Sequence, residues 1–166
     1  MCGSSSTARR LTISTVGLVP QIERFAQEHR QVNLAVSLHA ATDELRDRLL
    51  PVNRKYPLDV LMDACRGYVE STGRRISFEW ALIRDVNDGL DQAGALASRL
   101  RGLTAHVNLI PLNPTRGYAG AASTRERAAA FRQLLEARGI SCTIRVRRGL
   151  DIDAGCGQLA TRVPVG

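Results

Sequence analysis

Apolar positions along the chain fall into two alternating patterns. Short runs rich in β-branched residues occur at LTIST (11–15), VNLAVSL (32–38), RISFEWALI (75–83), AHVNLIP (105–111) and SCTIRV (141–146). These predict five strands. Between them, apolar residues return at helical spacing and predict helices over 18–29, 42–49, 57–71, 90–102 and 123–138. Such alternation predicts an α/β fold with mostly parallel strands joined by helical crossovers. The strands are apolar nearly throughout, which predicts that both sheet faces are covered, by helices or by a barrel interior. Local signals sharpen some boundaries. Ser123 followed by Glu126 reads as a capping box and Gly139 as a left-handed stop for the last helix. Pro57 suits a first helical turn, and Gly73 ends the helix that follows it.

Polar residues break this pattern where strands end. Ser14 and Thr15, then Ser37 and His39, then Asn113 all lie at or just past the C-terminal ends of predicted strands. In α/β sheets that end gathers the ligand-binding loops. Hydroxyl, imidazole and amide groups suit a ribose, an α-amino acid moiety or a carboxylate better than a bare phosphate. No glycine-rich phosphate loop follows any strand, so a dinucleotide or P-loop site is unsupported. The proline- and glycine-rich stretch PLNPTRGYAGAAST (111–124) has the length and composition of a substrate loop.

Composition adds a partner class. The 166 residues carry a net charge of +7, and Lys55 is the only lysine, so the excess is arginine. Guanidinium groups grip phosphate bidentately and stack on bases, which makes nucleic acid a candidate partner. IRVRRG (144–149) concentrates this charge, and Arg145, Arg147 and Arg148, with Arg116 in the long loop, are the candidate RNA contacts. No apolar run reaches the about 18 residues of a membrane span, and the first residues lack a secretory signal, so a cytoplasmic setting is expected. Residues 1–10 read as a disordered or non-native start, and 11–166 as one structural unit. The four cysteines, Cys2, Cys65, Cys142 and Cys156, show no metal-ligand spacing, and no metal site is assigned. Cys65 and Cys142 sit among apolar positions as core fillers. Cys156 stands apart, in a loop between two glycines.

Five segments in order complete the reading: STVGLVP (14–20), AVSLHAATDELRDRLLPVN (35–53), FEWALIRDVND (78–88), HVNLIPLNP (106–114) and DIDAGCGQLA (151–160). Together they resemble the C-terminal half of the dual-specificity radical S-adenosylmethionine (SAM) RNA methyltransferase family, whose members methylate C2 of an adenine in 23S ribosomal RNA. The resemblance implies the C-terminal part of a partial (β/α)6 barrel, with an extra C-terminal strand and a cysteine loop. It implies SAM contacts at Ser14, Ser37, Leu38, His39 and Asn113. Cys156 would be the catalytic residue, methylated by one SAM before a radical generated from a second SAM activates the methyl group for addition to the base. A thiolate suits that task, because it is the best side-chain nucleophile for an activated methyl group. The implied partners are 23S rRNA, transfer RNA as a further substrate, and an electron donor to a [4Fe-4S] cluster; the complete enzyme is expected to be a monomer. The family's CxxxCxxC cluster motif has no match in this sequence, so the chain by itself is expected not to generate the radical; the alternatives are a non-catalytic RNA- or SAM-binding fragment and a relative that methylates C8 of the adenine. Gly155 and Arg147 also depart from the family pattern.

Overall fold

The computed structural model describes residues 11–28, 32–112 and 121–145. Five strands alternate with five helices: β1 (Thr12–Thr15), α1 (Val19–Glu28), β2 (Asn33–Ser37), α2 (Asp43–Leu49), α3 (Leu58–Thr72), β3 (Ile76–Leu82), α4 (Leu90–Arg99), β4 (Ala105–Pro111), α5 (Arg125–Ala137) and β5 (Ser141–Ile144). A short 3₁₀ turn, Pro51–Arg54, which the periodicity did not predict, links α2 to α3. The strands form one sheet in the order β1-β2-β3-β4-β5, and all four pairings are parallel. Each crossover between neighbouring strands carries at least one helix. The predicted α/β class and the five strands are therefore found, within one or two residues at most ends.

One face of the sheet carries the main core. Leu34 and Val36 of β2, Ile76, Phe78, Trp80 and Leu82 of β3, Val107 and Leu109 of β4 and Cys142 of β5 pack with helix residues such as Ile22, Leu61, Leu96 and Phe131. Trp80 meets Phe131 at a centroid distance of 5.3 Å and a tilt of 51°, a favoured aromatic geometry. The other face departs from the expectation that strands are apolar on both sides. Side chains alternate along a strand, and the alternate positions here include Ser14, Asn33, Ser37, Ser77, Glu79, His106, Asn108 and Thr143, interspersed with the apolar Ala35, Ala81 and Ile110. The sheet is helix-covered on one side and mainly polar on the other. That is the arrangement of an open barrel wall rather than of a doubly wound sheet.

A smaller apolar cluster lies at the C-terminal end of the strands, where Leu45, Leu49 and Leu50 pack on Ala40, Ala81, Ile83 and Leu112. It seats α2 over the C-terminal edge of the sheet.

Two boundary signals resolve differently. Thr124, not Ser123, caps α5: its Oγ1 accepts from the Arg127 N–H at 3.2 Å. Ser123 is drawn away because its hydroxyl donates to the buried Asp88 carboxylate at 2.8 Å. Pro57 is the cap of α3 rather than its first residue, and Gly73 ends α3 in the left-handed conformation, φ 68°. Gly139 likewise adopts φ 80° just beyond α5. Residues 1–10, read as a non-native start, lie outside the described residues. Among the described residues no helix is long and apolar enough to cross a membrane.

Candidate functional site

The site is built on the polar sheet face and the turns at its C-terminal edge. Parallel register sets two rows across it. Ser37, Glu79, Asn108 and Thr143 form one, and Ala35, Ser77, His106 and Ser141 the next, with Ser14 beside Ala35. Ser14 and Ser37, both predicted from sequence, thus face the same side. Glu79, His106 and Asn108 were not predicted. A carboxylate within the apolar run ISFEWALI is the signal that could have found Glu79.

Several polar atoms on and beside this face lack partners among the described residues. Glu79 Oε2, Asn108 Oδ1 and His39 Nε2 are buried without a hydrogen bond, and Asn108 is only 5% exposed. Buried polar groups are ordinarily satisfied. Two acceptors and one ring nitrogen left open fit a ligand rich in hydroxyl and amino groups. His106 is committed to the wall, with Nδ1 2.6 Å from Ser141 Oγ and Nε2 3.0 Å from Thr143 Oγ1. Its pKa is lowered by burial and by the charges of Arg75 and Arg145.

His39 lies two residues past the end of β2 and adopts φ 61°, an uncommon conformation for a residue with a Cβ. Its Nδ1 accepts from the Ala81 N–H at 2.9 Å, which leaves Nε2 to carry the proton of a neutral ring. Burial, with the charge of Arg46 adding, pushes its pKa down from 6.5 to about 3. The ring is therefore a neutral donor at its open nitrogen. The turn is locked from behind by Asn87, whose Nδ2 donates to the carbonyls of His39 and Ala81, both at 2.7 Å, and whose Oδ1 accepts from the Ile83 N–H at 2.8 Å. Leu38, the remaining predicted contact of this turn, is fully buried in the main core, and its backbone is engaged as well: its N–H donates to the Glu79 carbonyl at 3.0 Å and its carbonyl accepts from the Ala40 N–H at 2.8 Å and from Arg46 Nε at 3.0 Å, so Leu38 shapes the turn from within rather than facing a ligand.

The turn after β1 is shaped by Thr15, whose Oγ1 accepts from the Gly17 and Leu18 N–H groups at 3.2 and 3.3 Å. Gly17 has φ 105°, and a Cβ there would meet Arg46 Nη2 and Leu61 Cδ2, each at 3.2 Å. Only glycine combines that conformation with that clearance.

Beyond β4, the returning chain is tied to the turn after β3. Arg84 N–H donates to the Ala121 carbonyl at 2.8 Å, and Arg127 Nη1 lies 2.7 Å from Asp85 and 3.0 Å from the buried Asp88. Asn113 and Arg116 lie outside the described residues, as do Arg147, Arg148 and Cys156. Arg145 is described and exposed at the end of β5, its N–H donating to the Leu109 carbonyl at 2.8 Å.

Cys65 and Cys142 are core fillers as read. Both are buried, and burial pushes each thiol up to about 12, which leaves them inert. Among the described residues no group of three or more His, Cys, Asp or Glu side chains could hold a metal ion. These residues therefore do not fit an iron–sulfur cluster, whereas the polar face fits a ligand such as SAM.

No family model matches the chain. Curated relatives do. The dual-specificity RNA methyltransferase RlmN 1 of Myxococcus xanthus is 53% identical over 161 residues, covering 97% of this chain and 45% of the relative. The probable dual-specificity RNA methyltransferase RlmN 2 of Opitutus terrae is 55% identical over 159 residues, covering 95% and 37%. A crystal structure of a radical SAM methyltransferase from Sphaerobacter thermophilus superposes with a TM-score of 0.85 at 55% identity, over 93% of this chain and 46% of that one. A domain of pyruvate-formate lyase-activating enzyme from Bacteroides vulgatus, at 15% identity and a TM-score of 0.62, shares the fold alone. The chain spans about half the length of the curated relatives it matches. Along nearly all of its length it is homologous to the C-terminal half of the RlmN dual-specificity RNA methyltransferases, a family of radical SAM enzymes.

Proposed function

We propose that the chain provides the C-terminal wall of a radical SAM enzyme that methylates C2 of an adenine in 23S rRNA, and of an adenine in transfer RNA, in the cytoplasm. The observation that carries this reading is the one-sided sheet. A polar face with unpartnered acceptors at Glu79 and Asn108 sits in a chain about half identical to RNA methyltransferases over nearly its whole length. SAM, when bound, supplies an activated methyl group. Ser14, Ser37 and the neutral ring of His39 would hold it along the C-terminal edge of β1 and β2, with Leu38 fixing the turn between them; Asn113, outside the described residues, is the further contact that the family resemblance implies. Glu79 and Asn108 would accept from its hydroxyl or amino groups. Cys156 would take the methyl group as a thiolate and carry it to the base. Arg116, Arg145, Arg147 and Arg148 would neutralise RNA phosphates, so binding should weaken steeply with salt. The cluster and its electron donor would act from outside the described residues.

The test is mass spectrometry of nucleosides from 23S and transfer RNA after anaerobic reaction with the reconstituted holoenzyme. Formation of 2-methyladenosine that disappears in C156A is expected. Formation of 8-methyladenosine would assign the chemistry to the other ring carbon, and an unmodified adenine with the wild type would refute the reading.

A further inference from the structure

Arg46 belongs to DELRDRL, a stretch that on charge alone reads as a solvated helix. Instead its side chain is 0% exposed. Nε donates to the Leu38 carbonyl at 3.0 Å, and Nη2 to the carbonyls of Val16 at 2.8 Å and Ser37 at 3.0 Å. Nη1 donates to Asn53 Oδ1 at 3.1 Å. The guanidinium thus reaches the turn after β1, the turn after β2 and the 3₁₀ turn before α3 at once. These acceptors are all neutral. Acidic charge arrives one step removed, because Asn53 Nδ2 donates to Asp43 at 3.0 Å and Asp47 at 2.7 Å, and Asp43 also accepts from the Leu58 N–H at the start of α3. Burial lowers the pKa of Arg46 to about 10, still charged at neutral pH.

A buried cation among neutral acceptors is an expensive way to fill space, and an apolar side chain of similar size would avoid that desolvation. What the guanidinium adds is direction: its planar fork fixes several carbonyls relative to one another. Gly17, with no side chain, lies against Nη2, so the turn after β1 is shaped to admit it.

We propose that Arg46 is the positioning residue of the ligand edge, tying Val16 to Ser37 and Leu38 so that Ser14, Ser37 and His39 present one binding surface. Its placement relative to SAM rests on the function proposed above; its tie between the two turns does not.

The test compares R46M and R46K with the wild type in the whole reconstituted protein, by SAM binding and by amide hydrogen exchange. Loss of hydrogen bonds from a charged group predicts about a tenfold weaker SAM affinity in R46M, with R46K between it and the wild type. Exchange should quicken at Gly17, Leu38 and Ala40 while the amides of α4 and of the β3–β4 pairing keep their protection, a split that general destabilisation would not produce. Affinity within twofold of wild type in a folded R46M, or exchange raised uniformly, overturns the proposal. If R46M does not fold, R46K carries both readouts with the same criteria. Absence of SAM binding in the wild type would overturn the functional reading, and localised exchange in the variants would still establish the tie.

Discussion

Replacing His39 with asparagine isolates one proton from the rest of the fold. The imidazole is 2% exposed, accepts from the Ala81 N–H, and has its pKa pushed down to about 3. In the unfolded chain the same group titrates near its ordinary 6.5. Between those values the unfolded chain binds a proton that the folded protein refuses. Stability from this group is therefore fully present above pH 6.5 and falls as the pH drops toward 3. One proton is worth ~1.4 kcal/mol per pH unit in that window, so going from pH 7.5 to pH 5.5 should remove ~1.3 kcal/mol. Asparagine suits the comparison, because it offers an acceptor to Ala81, tolerates a positive φ and does not titrate. Urea unfolding can be followed by the emission of Trp80, the only tryptophan and a fully buried one. The wild type should lose ~1.3 kcal/mol more than H39N over that interval. Parallel pH profiles for the two proteins would refute a neutral, buried His39.

Further outcomes follow from the same geometry. N87A removes three buried hydrogen bonds around the His39 turn and should cost ~3 kcal/mol in the same urea assay, leaving Trp80 buried in the remaining folded fraction. G17A forces a Cβ against Arg46 and Leu61 at a positive φ and should cost ~2 kcal/mol, read as a lower melting temperature. E79Q keeps the shape of the polar row but not its charge; SAM affinity should fall about tenfold by calorimetry if the carboxylate receives the ligand's donors. D88N should loosen the tie between the turn after β3 and α5, seen as faster amide exchange at Asp85 and Arg127.

The five strands, their helical crossovers and most element ends were legible because βα alternation shows in periodicity alone. The polar sheet face was not. In ISFEWALI and AHVNLIP the polar side chains Ser77, Glu79, His106 and Asn108 sit inside runs whose overall character is apolar, and only alternation gathers them onto one side. Arg46 was hidden for another reason: its burial depends on Val16, thirty positions away, and nothing in DELRDRL announces that neighbour. Ser14, Ser37 and His39 were readable because a polar residue at a strand's end interrupts an otherwise apolar pattern. The helix-cap misreading at Ser123 has a similar cause, since the pull of Asp88 on its hydroxyl is a long-range contact.

Because spatial order along the sheet equals sequence order, each strand docks beside the unit made just before it. Thr12 pairs with Asn33 and Ser77 with His106, so no pairing waits for a distant part of the chain. Such a sheet assembles from local units. Local units are also free to open one at a time. A ligand touching Ser14, Ser37 and Asn108 would bridge β1, β2 and β4. Its binding energy would then appear as cooperativity among units, so saturation should sharpen the unfolding transition as well as raise its midpoint.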